Sequence, residues 1–310
     1  MIEGVPVTEL NCRISGVDSG FVGKNFLSLD MVLIRGKAAI FDYKSGKLEK
    51  ANYLPDYFSF PEAVLSHRAL QKEDISTNMS LQRLKKEIGL AEQSIREFSP
   101  EYCFLDGSIV PQHADKPRQG SQMQSFYKQT VKQFESLFET AIENNCTIIG
   151  CVEDSRGTRF KDLVEKLAGE KELNDCFDAV LLDQLLKVGE RTFAFPYAEK
   201  VSEHPVLKDF SRKYSEKIHA FYLKPCVLDR PLRAEFLLPK DHSKKDIDRI
   251  ASVVFAQSNN HREYAYPAVL IEADLRARLQ GNEIKIICDK IFDRLGSSTK
   301  IELRRNKRPF

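Results

Sequence analysis

No apolar stretch in this chain approaches the roughly 18 residues that cross a bilayer, so the sequence offers no transmembrane helix. The opening Met1-Ile2-Glu3-Gly4-Val5-Pro6 lacks the basic-then-apolar order of a secretory signal. An excess of one charge is missing too: 47 Lys and Arg stand against 45 Asp and Glu, a net +2. The molecule is not a polycation, and any nucleic-acid contact has to use a local basic groove. The seven cysteines never fall as C-x-x-C, and none has a His at zinc-finger distance, which argues against structural zinc. Most sit in apolar runs (Cys103, Cys146, Cys151, Cys288) as small buried hydrophobes, and the expected compartment is the reducing cytoplasm. There is no G-x-S-x-G and no Gly-rich phosphate loop, and the six dispersed histidines pair with no Ser or Cys. Activated-serine hydrolysis and ATP hydrolysis are therefore not expected of this chain.

What is present is a set of apolar runs that stop at an acid. They are Gly16-Val17-Asp18-Ser19-Gly20, Phe104-Leu105-Asp106-Gly107-Ser108 and Gly150-Cys151-Val152-Glu153-Asp154-Ser155. A run of this kind reads as a buried strand reaching the edge of its sheet. Strands ending in Asp18, Asp106 and Asp154 would bring three carboxylates to one edge. A divalent cation is the natural partner for that much buried negative charge. The chemistry indicated is metal-dependent, with phosphodiesters as the substrate class. Two cations about 3.5–4 Å apart can activate a water, neutralise the transition state and assist the leaving oxygen.

The pattern along the chain predicts an α/β fold in one domain, residues 1–310, with a core of about 11–295 and a basic tail, 296–310. Residues 15–21, 26–35 and 38–43 read as a three-strand antiparallel meander, with Gly36-Lys37 as a turn. Residues 62–98 read as a long helix on the spacing of Leu81, Leu84, Ile88, Ala91 and Ile95. A strand (102–106), a helix (122–145) and a strand (147–152) follow, then helices over 158–168 and 177–186. Short strands are expected at 191–195, 218–223 and 232–238, and closing helices at 243–257, 268–280 and 282–295. The order meander, helix, strand, helix, strand matches a ribonuclease H-like mixed sheet flanked by helices, with helical insertions.

Taken together, these segments resemble the NurA family of DNA-end-processing nucleases over about residues 15–279. The resemblance is carried by Asp18-Ser19-Gly20 (the family more often reads Asp-Gly-Ser), Leu105-Asp106-Gly107-Ser108, Val152-Glu153-Asp154-Ser155-Arg156 and Tyr266-Pro267…Glu272-Ala273-Asp274. It implies a nuclease using Mn²⁺, with Mg²⁺ as the alternative and two ions per active site. It also implies 5′-to-3′ degradation of DNA ends, internal cutting of single strands, a homodimer, and a HerA-type hexameric ATPase as partner. On this resemblance Asp18, Asp106 and Asp154 are the metal-binding acids and Tyr266 lies in the active-site cleft. Asp274 stands where some members carry His, and an oxygen ligand there suits a hard cation.

Each residue also has an ordinary reading. Asp18 can be a turn residue bonded to its own backbone, and Asp274, near Glu272 and Arg276, can be a solvated charge. Glu153 alternates with Asp154 and would face the other side of the strand, towards the surface. Arg156 and Arg159 follow the third strand and suit phosphate through their planar forks, or are surface charges. The segment 240–249 and the tail Arg304-Arg305-Asn306-Lys307-Arg308 are further basic candidates. The run Phe193, Phe195, Tyr197 reads as one buried sheet face, with base stacking as the rival. Two other functions share the same features: a non-catalytic nucleic-acid-binding subunit of an ATPase complex, and a ribonuclease on the same fold.

Overall fold

The computed structural model describes residues 2–26, 29–66, 70, 72–169, 176–238 and 242–296. The basic tail and Lys240 lie outside the described residues. The strands β1 (Ile2–Gly4), β2 (Arg13–Asn25), β3 (Asp30–Lys44), β4 (Lys47–Leu54), β5 (Glu62–Ser66) and β6 (Tyr102–Asp106) come from the first third of the chain. Later come β7 (Thr147–Val152), β8 (Glu190–Thr192), β9 (Phe195–Pro196), β10 (Ile218–Leu223) and β11 (Leu232–Leu237). All join one mixed sheet in the order β1-β8-β10-β11-β7-β6-β2-β3-β4, with β5 on β3 and β9 on β10. β2, β3 and β4 form the antiparallel meander, and β6 and β7 continue parallel to β2.

The meander is present with different corners. β3 runs unbroken through Gly36 and Lys37, which pair with Ser19 and Asp18. The reversal falls instead at Ser45-Gly46, whose φ values of 48° and 74° give the left-handed pair that a tight hairpin needs. Lys37 stays in the strand because its ammonium reaches the carbonyls of Asp56 (2.5 Å) and Tyr57 (3.2 Å). Residues 62–66, predicted as helix, are a strand. β4 covers β3 only from Ala38 onward, and β5 supplies the missing ladder along Asp30–Ile34. The helix begins later, as α1 (Lys72–Phe98).

Helices close both faces. α1 and α2 (Gln124–Glu143) cover one face through Leu81, Leu84, Ile88, Phe134 and Phe138, packed on Val17, Cys103 and Ile148. After α3 (Arg159–Ala168), α4 (Asp178–Leu185) and the single turn α5 (Arg212–Ser215), the chain covers the other face. There α6 (Lys244–Ser258) and α7 (Ala268–Ala277) pack Val254, Val269, Leu270 and Ala273 on Ile14, Phe104 and Ile149. Strand alternation makes this division: Val17 and Cys103 look to α1, while Ile14 and Phe104 look to α7. α8 (Gly281–Leu295) seals the far ends of β2 and β3 through Phe292, Phe26 and Met31. Of the aromatic run, Phe195 is buried as the sheet-face reading expects, in a cluster with Phe160 and Tyr222. No described helix is long and apolar enough to cross a membrane, and all seven cysteines are free.

Candidate active site

The site forms where β6 stops beside a β2 that continues. The parallel register pairs Val17 with Leu105, so Asp18 and Asp106 come level on the α7 face. Their carboxyls approach to hydrogen-bonding range. Asp18 is buried, and its Oδ1 accepts the Ser19 amide at 2.6 Å, the local bond expected of the turn reading. Burial, then the neighbouring charges of Asp106 and Glu87, push the Asp18 carboxyl far above the ordinary carboxylate range.

Glu87 is the residue that strand-ending motifs could not reveal. It lies in the middle of α1, and its carboxylate accepts from Ser19 Oγ at 2.7 Å and from Arg83 at 3.1 Å. Burial raises it to about 7, with Arg83 opposing. A signal did exist: Glu87 falls among Leu84, Ile88 and Ala91 of the apolar stripe of α1. A charged residue within the apolar stripe of a helix needs a buried partner. Arg83 supplies part of it, and its positive charge is felt at Glu87, Asp115, Asp106 and Asp18.

Tyr266 comes in from the other face, just before α7. Its hydroxyl donates to Asp106 and lies 2.9 Å from the Cys151 carbonyl. Burial and then Asp106 hold this phenol far above its usual range, so it remains a donor. Tyr264, 5.9 Å away ring to ring, donates to Glu153. The charges of Asp106 and Asp274 also reach the Tyr264 hydroxyl. Asp274 stands at the rim, half exposed, accepting from Arg278 at 2.9 Å.

The third acid of the sequence reading does not join this group. Asp154 is 80% exposed and faces Arg230 at 3.5 Å. The reason is strand parity. Cys151 is level with Asp106 on the α7 face, so the next residue on that side is Glu153. Asp154 continues the side of Gly150 and Val152. Both acids are exposed, Glu153 as the surface reading expects, and the Glu153 carboxylate also accepts from Tyr264. Arg156 and Arg159 also lie away from Asp18 and Asp106. They line a cavity of about 920 Å³ next to Val152, Tyr197 and Arg233, where Arg159 pairs with Glu199 at 3.2 Å.

Among the described residues, no three His, Cys, Asp or Glu side chains already form a metal cage. The donor set nevertheless suits a hard divalent ion. Asp18, Glu87 and Asp106 offer carboxylate oxygens, and burial makes the first two costly to ionise without added positive charge.

The NurA domain family model matches residues 12–279. No curated protein matches the sequence. Among solved structures, the NurA nuclease from Sulfolobus solfataricus superposes with a TM-score of 0.58 at 16% identity, over 94% of this chain and 86% of that one. A NurA structure with manganese gives 0.54 at 11% identity, over 95% and 91%. One bound to dAMP and manganese gives 0.53 at 10%, over 91% and 88%. At these identities the likeness is one of fold.

Proposed function

The chain belongs to the NurA domain family and is a nuclease that hydrolyses phosphodiester bonds; on that premise we propose that it is a metal-dependent deoxyribonuclease whose centre is built on Asp18, Glu87 and Asp106. The observation that carries this reading is the close approach of the buried Asp18 carboxyl and the half-buried Asp106 carboxyl, with a third, Glu87, close enough to raise Asp18 further. Mn²⁺ is the proposed ion, with Mg²⁺ as an alternative, because the donors are hard oxygens and related structures hold manganese. Asp18, Glu87 and Asp106 would hold the metal, with Glu153 and Asp274 at the edge; when bound, it would supply Lewis-acid polarisation and a more acidic water.

The remaining roles belong to the chain itself. Tyr266 fixes the Asp106 carboxylate by donating to it, so this acid presents its free lone pairs to the site. Ser19 and Arg83 hold Glu87 in place from the α1 side. Tyr264 orients Glu153. Arg278 sits at the rim beside Asp274, where a phosphate could exchange for the carboxylate. Asp154, Arg156 and Arg159 are left for the outer approach of the strand. The family resemblance supports the finer reading of 5′-to-3′ digestion of ends, internal cutting of single strands, a homodimer, a single nuclease domain and a HerA-type hexameric ATPase partner.

The test is cleavage of a 5′-labelled duplex and of a labelled single strand, with Mn²⁺ and with EDTA. Wild type should cut only with the metal. Asp18→Asn should lose at least about 100-fold in rate while keeping its circular dichroism. If purified protein with Mn²⁺ binds DNA and leaves it intact, the chain is a binding subunit instead.

A further inference from the structure

We propose that the loop after β4, with the arginines beside it, is a stacking platform for the bases of a single-stranded polynucleotide leading into the active site. The proposal rests on the nuclease reading above and names the substrate form that the site receives. Phe58 and Phe60 are each 86% exposed, and Tyr57 is 39% exposed. Two neighbouring phenylalanines almost wholly in water do nothing for the fold, since neither belongs to a core cluster. Phe58 is nevertheless held from one side. The Tyr57 ring meets Phe58 edge-on at 4.7 Å and Tyr53 at 5.0 Å, and the Arg276 guanidinium lies 4.2 Å from its centroid.

The loop forms one wall of a groove of about 440 Å³ that Arg35, Arg276 and Arg278 also line. Arg35 pairs with Glu283 and donates to the Arg278 carbonyl, while its buried Nε has no hydrogen-bond partner among the described residues. Rings interleaved with guanidiniums suit a strand whose bases stack while its phosphates are neutralised. α7 runs between the groove and the catalytic face. Arg278 bonds Asp274, Arg276 bonds Glu272, and the same helix starts beside Tyr266. From Pro267 to Arg276 the helix rises roughly 14 Å, a distance that an unpaired strand of a few nucleotides covers.

The experiment uses the whole chain in EDTA with a fluorescein-labelled 20-mer of thymidylate. The double variant Phe58→Ala, Phe60→Ala should bind about tenfold more weakly or worse, with unchanged circular dichroism, because both side chains lie outside the core. The wild-type chain has no tryptophan, so Phe58→Trp gives a single reporter, whose emission should be quenched by the oligonucleotide. Equal affinity in the double variant, or an unquenched reporter, overturns the platform. A double variant that turns a dimer into a monomer at unchanged DNA affinity assigns the loop to a second copy and likewise overturns it. Cleavage of the same oligonucleotide by wild type with Mn²⁺ keeps the two readings apart. If wild type cuts and the double variant binds and cuts equally well, only the platform falls. If wild type does not cut, the nuclease centre falls, while the metal-free binding still decides the platform.

Discussion

At the scale of single residues, two adjacent acids just past the end of β7 meet different surroundings. Glu153 and Asp154 are adjacent and equally placed after an apolar run, yet only Glu153 accepts a hydrogen bond from Tyr264, while Asp154 faces Arg230. Glu87 shows the opposite case, an acid with no motif around it, held by Ser19 and Arg83 beside Asp18. The two positions give one contrast to measure. Glu87→Gln should lower the cleavage rate by at least about 100-fold, because it removes a carboxylate from the proposed metal donors. Asp154→Asn should stay within a few-fold of wild type, since its carboxylate meets solvent and Arg230. Initial rates on a labelled oligonucleotide with saturating Mn²⁺ distinguish them. Parallel losses in the two variants would return Asp154 to the site.

At the scale of elements, β2 and α7 together position the chemistry. Gly16 lies on the face of β2 that carries Asp18, two residues earlier, and α7 packs directly over it. A Cβ at Gly16 would stand 2.7 Å from Val269 Cγ1 and 2.9 Å from the Val269 carbonyl carbon. Backbone would have to move, because the second contact is not the end of a flexible side chain. Gly16→Ala should therefore destabilise the protein by about 1–3 kcal/mol, as overpacking does. Urea unfolding would read the loss, and an unchanged midpoint would mean that α7 rides more loosely on the sheet. The same displacement shifts Asp274 and the start of α7 next to Tyr266, so activity should fall further than stability alone accounts for. Much of this layer was visible beforehand, because Val17, Cys103 and Ile148 alternate with Ile14, Phe104 and Ile149 in the sequence. The true hairpin at Ser45-Gly46 was less visible, since Gly36-Lys37 carries the same kind of turn composition. The ladder with β2 and the carbonyls that Lys37 meets keep that pair in a strand.

At the scale of the whole molecule, the site stores unfavourable charge that stability measurements can read. Free carboxyls titrate near 4 in an unfolded chain. In the metal-free fold, Glu87 titrates at about 7 and Asp18 is also raised. Between those limits the folded state holds more protons than the unfolded state, so stability must fall as pH rises. In EDTA, these two groups should lower the melting temperature from about pH 4 through pH 7 and beyond. The Glu87→Gln variant should flatten that slope. Manganese needs the ionised oxygens, so the stabilisation it brings should grow over the same interval. Scanning calorimetry across pH, with and without Mn²⁺, gives both slopes; a melting temperature that rises with pH in EDTA would contradict the buried cluster.

The sequence by itself determined, in outline, the order of the elements from residue 102 onward and two of the acids that the fold brings together. Apolar runs of the right length, broken by Asp18 and Asp106, need no tertiary information to be seen, because strand length and alternation are local properties. The parallel register then made those two acids neighbours. Tertiary structure alone decided the rest. Glu87 and Asp18 are far apart in the chain, and only the packing of α1 on β2 brings their charges together. Which of Glu153 and Asp154 faces the centre depended on how β7 aligns with β6, since shifting a strand by one residue exchanges its two faces.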